Sequence, residues 1–405
     1  MLERTKLTFA TLCAGHFVND LYSSTIFPLL PLLKTTLALT SAQVFWLAPL
    51  YAVSSSLMQP IYGFISDRYA RRFFAVFGPT ITAVFVSMIG LAPSYGVLIT
   101  LLVAGGIGIG SFHPQGAAMA AAASGERRRM GMAVFSATGT VGFAIGPLAV
   151  ALIVSGYGLS KTYYLIPIGL VMSAILYRLC PPLDAPAKRA PGVTRIKWQL
   201  LGALRAAWKP LVLLYIITVI RSGMQMTTNN YLPFLLQERG YKIAATGAVH
   251  TVFLLLGGVG GLVGGFMAER LSGRAVTFYS GLLSGPLLVA AFLTTGALSI
   301  ALLGIAGFVL LSTLPVNVAM AQELVPGQTS TVSALMMGAA WGVGALAPPA
   351  LDNLVPAYGF KMVLVFASTA TMLSAIFAYF LPRDESEQRR PVLEAELSTA
   401  AASGD

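Results

Sequence analysis

Charge is scarce in this chain: Asp, Glu, Lys and Arg make up 10% of its 405 residues, where an ordinary globular protein carries about 25%. Acids are the scarcer sign, 15 against 26 Lys and Arg. So few charges could not solvate a globular surface, which makes lipid the main solvent. Two cysteines, Cys13 and Cys180, both in apolar runs, offer neither a disulfide framework nor a cysteine metal site. The chain has only three histidines, and no His-Glu-x-x-His, Gly-x-Ser-x-Gly or phosphate-loop pattern occurs. No enzyme, no cofactor and no bound metal are expected. What is present is apolar: 56% hydrophobic residues, with a mean hydropathy of +0.77.

A helix needs about 20 apolar residues to cross a bilayer. The runs between charged or Pro/Gly breaks predict twelve such helices, from about 7–33 to about 360–381. The one long interior break, rich in Pro and basic residues around Trp198 and Trp208, predicts an interfacial linker. The expected organisation is an N-terminal six-helix half over 1–180, a linker over 181–208, a C-terminal six-helix half over 209–382, and a disordered polar tail over 383–405. Met1 leads straight into the first span, which would serve as its own insertion signal. Lys34, Lys161, Arg239, Lys242 and Lys361 fall on one side of this threading, Arg221 falls inside a span, and the other 20 basic residues fall on the opposite side. The positive-inside rule then places both termini in the cytoplasm. The net charge of +11 therefore marks topology and anionic lipid neighbours, not nucleic acid.

Gly63-Phe-Ile-Ser-Asp67-Arg68, followed by Arg71 and Arg72, recurs as Gly265-Phe-Met-Ala-Glu269-Arg270, followed by Arg274. Gly265 lies 202 residues after Gly63. Near that offset Leu30-Pro31 meets Leu232-Pro233, His113-Pro114 meets Leu314-Pro315, and Gly146-Pro147 meets Ala347-Pro348. The chain therefore contains a duplication, as expected of a transporter with two parallel halves.

The Gly63–Arg72 junction resembles the loop between helices two and three of the major facilitator superfamily, with Ala70 where that family often has Gly. The resemblance implies a twelve-helix, all-α membrane fold with both termini cytoplasmic. In it, Gly63, Asp67, Arg68, Arg72, Gly265, Glu269 and Arg270, with Gly146 and Pro147, would serve gating. Further strings are similar to the fosmidomycin resistance protein family: His16-Phe-Val-Asn19-Asp20, Gln59-Pro60, Ser111-Phe112-His113-Pro114, Ala123-Ser124-Gly125, Gly139-x-x-Gly142-x-x-x-Gly146-Pro147, Arg221-Ser222, and Ala321 through Gly327. This likeness implies an inner-membrane efflux transporter driven by proton exchange, with a phosphonate antibiotic as one substrate type. Leu102 stands where many drug/proton antiporters have Arg, and Val150 stands where a last Gly is usual. Export is thus implied by likeness alone, and uptake of an organic anion or metal chelate is the alternative. A channel or a non-transporting sensor is a reading of another class.

Ionisable groups at mid-bilayer cost about 2.5–3.5 kcal/mol on insertion scales, so they persist where they meet a partner or water. Asp20 and Arg221 lie at similar depths in helices one and seven, which correspond in the two halves. They are expected to face a shared aqueous cavity and to sense each other, with Asp20 carrying the proton and Arg221 binding an anionic group. A fixed salt bridge joining the halves is the other reading. His16, one turn before Asp20, either relays the proton or hydrogen-bonds the carboxylate. His113 either contacts substrate or satisfies the kink at Pro114. Asn19, Gln225, Asn229 and Tyr231 are the remaining candidate substrate contacts. His250 reads as structural. A small-molecule substrate, the lipid bilayer and a monomeric state complete the expectations.

Overall fold

A computed structural model describes residues 2–65, 72–125, 128–180, 207–325 and 332–382. Asp67 and Arg68 of the first junction, nearly all of the linker and the whole tail from 383 lie outside the described residues. The described chain is helical throughout. The first half contains α1 (Leu2–Ser23), α2 (Ile26–Thr36), α3 (Ser41–Ala52), α4 (Gln59–Ile65), α5 (Phe73–Ser87), α6 (Tyr95–Ala123), α7 (Arg128–Tyr157) and α8 (Ile166–Leu179). The second contains α9 (Trp208–Glu238), α10 (Ile243–Arg270), α11 (Gly273–Leu293), α12 (Gly296–Leu311), α13 (Leu314–Leu324), α14 (Ala340–Gly344), α15 (Ala347–Leu351) and α16 (Val355–Tyr379).

Nine stretches among the described residues are long and apolar enough to cross a membrane, where the apolar runs predicted twelve. Local chemistry accounts for the difference. The first run is broken after Ser23, so α1 and α2 are each short of a full apolar span. The second run is interrupted by a π-turn over Val53–Leu57 between α3 and α4. One stretch, Leu335–Tyr379, is 45 residues long because separate helices run together in it across a kink at Gly359, whose φ is 71° and ψ 164°. Gly158, 201 residues earlier, has φ 89° and ψ 164° at the entry to α8. Such dihedrals are open to glycine and strained for other residues. The pair is a backbone landmark of the duplication.

Each half packs through small residues, as expected where lipid removes the hydrophobic drive between helices. In the first half, α7 lies against α1 and α5 against α6; in the second, α11 lies against α16 and α12. A methyl group on Gly142 would sit 2.1 Å from the Phe17 carbonyl, and one on Gly146 would sit 2.1 Å from the Leu21 carbonyl. The Gly139–Gly146 string therefore sets the backbone-to-backbone approach of α7 and α1. Gly63 faces Pro114 of α6 at ordinary contact distance, while the space beside Gly265 is open. Arg72 donates to the Cys180 carbonyl at 3.2 Å and lies over Tyr177, tying α5 to the end of α8. Arg270 lies over Phe266, and Glu269 beside it is exposed.

The halves meet along α7 and α10 and between α2 and α9. Methyl groups on Gly247 and Gly258 would lie 2.6 Å from the Pro147 carbonyl and from Thr140 Cγ2, respectively. The π-turn at Val53–Leu57 meets a second one at Ala334–Ala339, across the other seam. At the end of the bundle away from the start of α9, aromatic rings close the gap. Phe45 packs on Tyr231 at 4.6 Å, Phe234 stacks on Phe360 at 4.9 Å, and Lys34 Nζ sits 5.8 Å above Phe234. Phe45 and Lys34 belong to the first half and the other three rings to the second. Phe45→Ala should therefore loosen this seal. In a Cys13→Ser, Cys180→Ser background, a cysteine replacing the buried Leu232 should react with a soluble maleimide several-fold faster when Phe45 is also alanine. An unchanged rate would refute the seal.

Candidate functional site

Spacing on α1 sets the first contact. His16 and Asp20 are one turn apart, and His16 Nε2 lies 3.2 Å from Asp20 Oδ2. The second contact comes from α6, where His113 Nε2 lies 3.5 Å from Asp20 Oδ1. One carboxylate thus stands between two imidazoles. The third wall is α7. The Phe135 carbonyl is 2.7 Å from His16 Nδ1, and the Phe135 ring stacks on the His16 ring at 4.1 Å. Gly139 makes the space, because a methyl group there would lie 2.4 Å from His16 Nε2 and 2.8 Å from Asp20 Oδ2. The side chains of His16, Asp20 and His113 are 10%, 15% and 25% exposed, so the cluster is sunk in the fold but not sealed.

The phase of the histidine follows from hydrogen-bond chemistry. A carbonyl only accepts, so His16 Nδ1 must carry the hydrogen that meets Phe135. A neutral His16 then presents a bare Nε2 lone pair to the lone pairs of Asp20. That contact is favourable only with a cation between the two atoms, and a proton is the simplest one. The arrangement is therefore one in which His16 Nε2 and Asp20 Oδ2 can hold a proton between them.

Asn19 is one residue, or about 100° of helix, from Asp20. It is fully buried and accepts a hydrogen bond from Thr82 of α5 at 3.0 Å. Arg221 behaves in the same way, contrary to the expectation that it would face Asp20. It is 1% exposed inside the second half, where Nη2 donates to Ser280 at 2.5 Å and to the carbonyls of Val309 and Leu310. The reason lies in α12, which stops at Leu311 before Pro315. The break leaves terminal carbonyls without backbone donors, and a buried cation supplies one. Arg221 Nε and Nη1 have no hydrogen-bond partner among the described residues.

The α9 stripe is buried as well. Asn229 Oδ1 meets His250 Nε2 of α10 at 3.0 Å, Gln225 Oε1 lacks a partner, and Tyr231 donates to the Pro348 carbonyl at 2.5 Å. His250, which the sequence marked as structural, is thus the direct partner of a candidate substrate contact, and its ring is 5.8 Å from Phe27 of the other half. No flanking motif signals this; only the packing of α10 on α9 reveals it. Gly146 and Pro147 sit at the α1–α7 and α7–α10 contacts described above.

Residues 12–348 and 214–403 match the family model described as Major Facilitator Superfamily. The uncharacterised transporter YfnC of Bacillus subtilis (strain 168) is 28% identical over 375 residues, covering 91% of each chain. The fosmidomycin resistance protein of Escherichia coli (strain K12) is 26% identical, also over 91% of each chain. Among solved structures, a bacterial homologue of the human lysosomal transporter Spinster, inward-facing and unoccupied, superposes with a TM-score of 0.79 at 16% identity, covering 93% of this chain and 97% of that one.

Proposed function

Because the chain belongs to the Major Facilitator Superfamily, we propose that it exports a small anionic or amphiphilic compound in exchange for protons. Membership makes it a multi-pass membrane transport protein and not an enzyme. The observation that carries the proposal is the Asp20 carboxylate held between His16 and His113 in a partly open seat. Desolvation opposes the charged carboxylate and an adjacent cation favours it. Opening the seat to one side or the other changes that balance, so proton release can be tied to the alternation of access. A phosphonate-type antibiotic is the cargo class suggested by the resistance protein of Escherichia coli. Arg221, with two uncommitted donors, and the Gln225–Asn229–Tyr231 stripe would hold its polar groups. The proposed location is the bacterial inner membrane, the working unit is one chain, and the proton gradient takes the place of a cofactor.

Everted membrane vesicles energised to an acidic interior test the reading directly. Adding fosmidomycin should dissipate part of the gradient, followed with a pH-sensitive dye, and labelled compound should accumulate in the vesicles. Accumulation only in right-side-out cells would reject export, and accumulation insensitive to an uncoupler would reject proton exchange.

A further inference from the structure

We propose that His16, Asp20 and His113 form a binding site for one divalent transition-metal ion of the zinc class. Sequence spacing gives no hint of it, because the ligands come from two helices 93 residues apart at their closest. Folding brings one ligand atom from each residue to within 4.8 Å of the others. In a tetrahedral zinc site, with bonds of about 2.0–2.1 Å, neighbouring ligand atoms are about 3.3 Å apart. His16 Nε2 lies 3.2 Å from Asp20 Oδ2 and His113 Nε2 3.5 Å from Asp20 Oδ1, so each imidazole stands near that distance from one of the two carboxylate oxygens.

Three further features suit a metal. The Phe135 carbonyl takes the Nδ1 hydrogen of His16, which leaves Nε2 as the free donor, and metal-bound histidines are held in this way by a second hydrogen bond. Asp20 Oδ1 is buried without a hydrogen-bond partner among the described residues. The Gly139 hollow keeps the space beside both His16 Nε2 and Asp20 Oδ2 free of side chain. Two imidazoles and one carboxylate favour zinc, nickel, cobalt or copper over magnesium or calcium. Three protein ligands also leave a fourth position for water or for a group of the cargo.

The ion would occupy the same lone pairs as the proposed coupling proton, so zinc should block proton-linked transport. The binding site itself stands on geometry, whether or not the same groups carry a proton.

The test is clean because the chain has three histidines and the remaining one, His250, is bonded to Asn229 in the other half. Full-length protein is purified without a polyhistidine tag and titrated with zinc chloride against a chromophoric chelator. One equivalent should bind. His113→Gln and Asp20→Asn should each weaken binding about ten-fold or more. Their thermal melts and size-exclusion profiles serve to verify folding. Cobalt chloride should give the intense visible d–d bands of a four-coordinate ion in the wild type and lose them in His113→Gln. Equal zinc affinity in the wild type and both variants, or the absence of cobalt bands in the wild type, would overturn the proposal. Neither result would touch proton exchange, which is read from gradient-driven transport of the wild type in the absence of metal.

Discussion

Asp20→Asn is expected to abolish gradient-driven accumulation of cargo, by about a hundred-fold or more, while the folded protein still binds cargo and exchanges it across the membrane. The amide keeps the size of the carboxylate but cannot take up and release a proton near neutral pH. The substitution also takes from His16 and His113 the anion that both of their Nε2 atoms face, and with it the partner that holds a proton at the seat. Proteoliposomes give the comparison: uptake driven by an imposed pH gradient, against counterflow of labelled cargo with no gradient. Loss of the first with retention of the second is the signature of a coupling group. If both survive, Asp20 is not the coupling group. If both vanish in a folded variant, it serves cargo and not the proton.

Arg221→Ala is expected to act first on stability. It should lower unfolding free energy by about 2–4 kcal/mol, since charged hydrogen bonds are lost and a buried acceptor is stranded. The acceptor that loses its side-chain donor outright is the Leu310 carbonyl at the end of α12, while the Val309 carbonyl keeps the Ser280 and Ser312 hydroxyls. Thermal melting of the purified protein measures the effect, and Arg221→Lys should recover part of it, because an ammonium reaches fewer acceptors than a planar fork. Full stability combined with lost cargo binding would refute the role as an internal strut and leave Arg221 as a cargo contact alone.

The contrast between these two residues shows what the sequence made legible. Asp20 and His16 could be paired on paper, because four residues along a helix make a turn. The superfamily and the duplicated junction were equally plain from the Gly63 and Gly265 strings. The expected meeting of Arg221 with Asp20 failed for a reason already present in the repeat: at an offset of 202, Arg221 corresponds to Asn19, and Ser222 corresponds to Asp20. Asn19 and Arg221 both turn into their own halves, toward Thr82 and Ser280 respectively. Depth in the membrane had been matched, but angle around the helix had not. His113 and Gly139 were beyond such reasoning. Their approach to Asp20 depends on how α6 and α7 close on α1, which is set by backbone contacts at several glycines together.

Gly139 and Thr140 are neighbours in the chain with opposite duties. Gly139 is the floor under the carboxylate, and Thr140 is the surface on which Gly258 of the other half rests. Sliding of α10 over α7 at that point would reach the seat through a single peptide bond. The covalent distance between the seam and the charged centre is one residue. No relay of side chains is needed between them, and a substitution that thickens Gly258 would act on the seat from across the interface without touching any of its members.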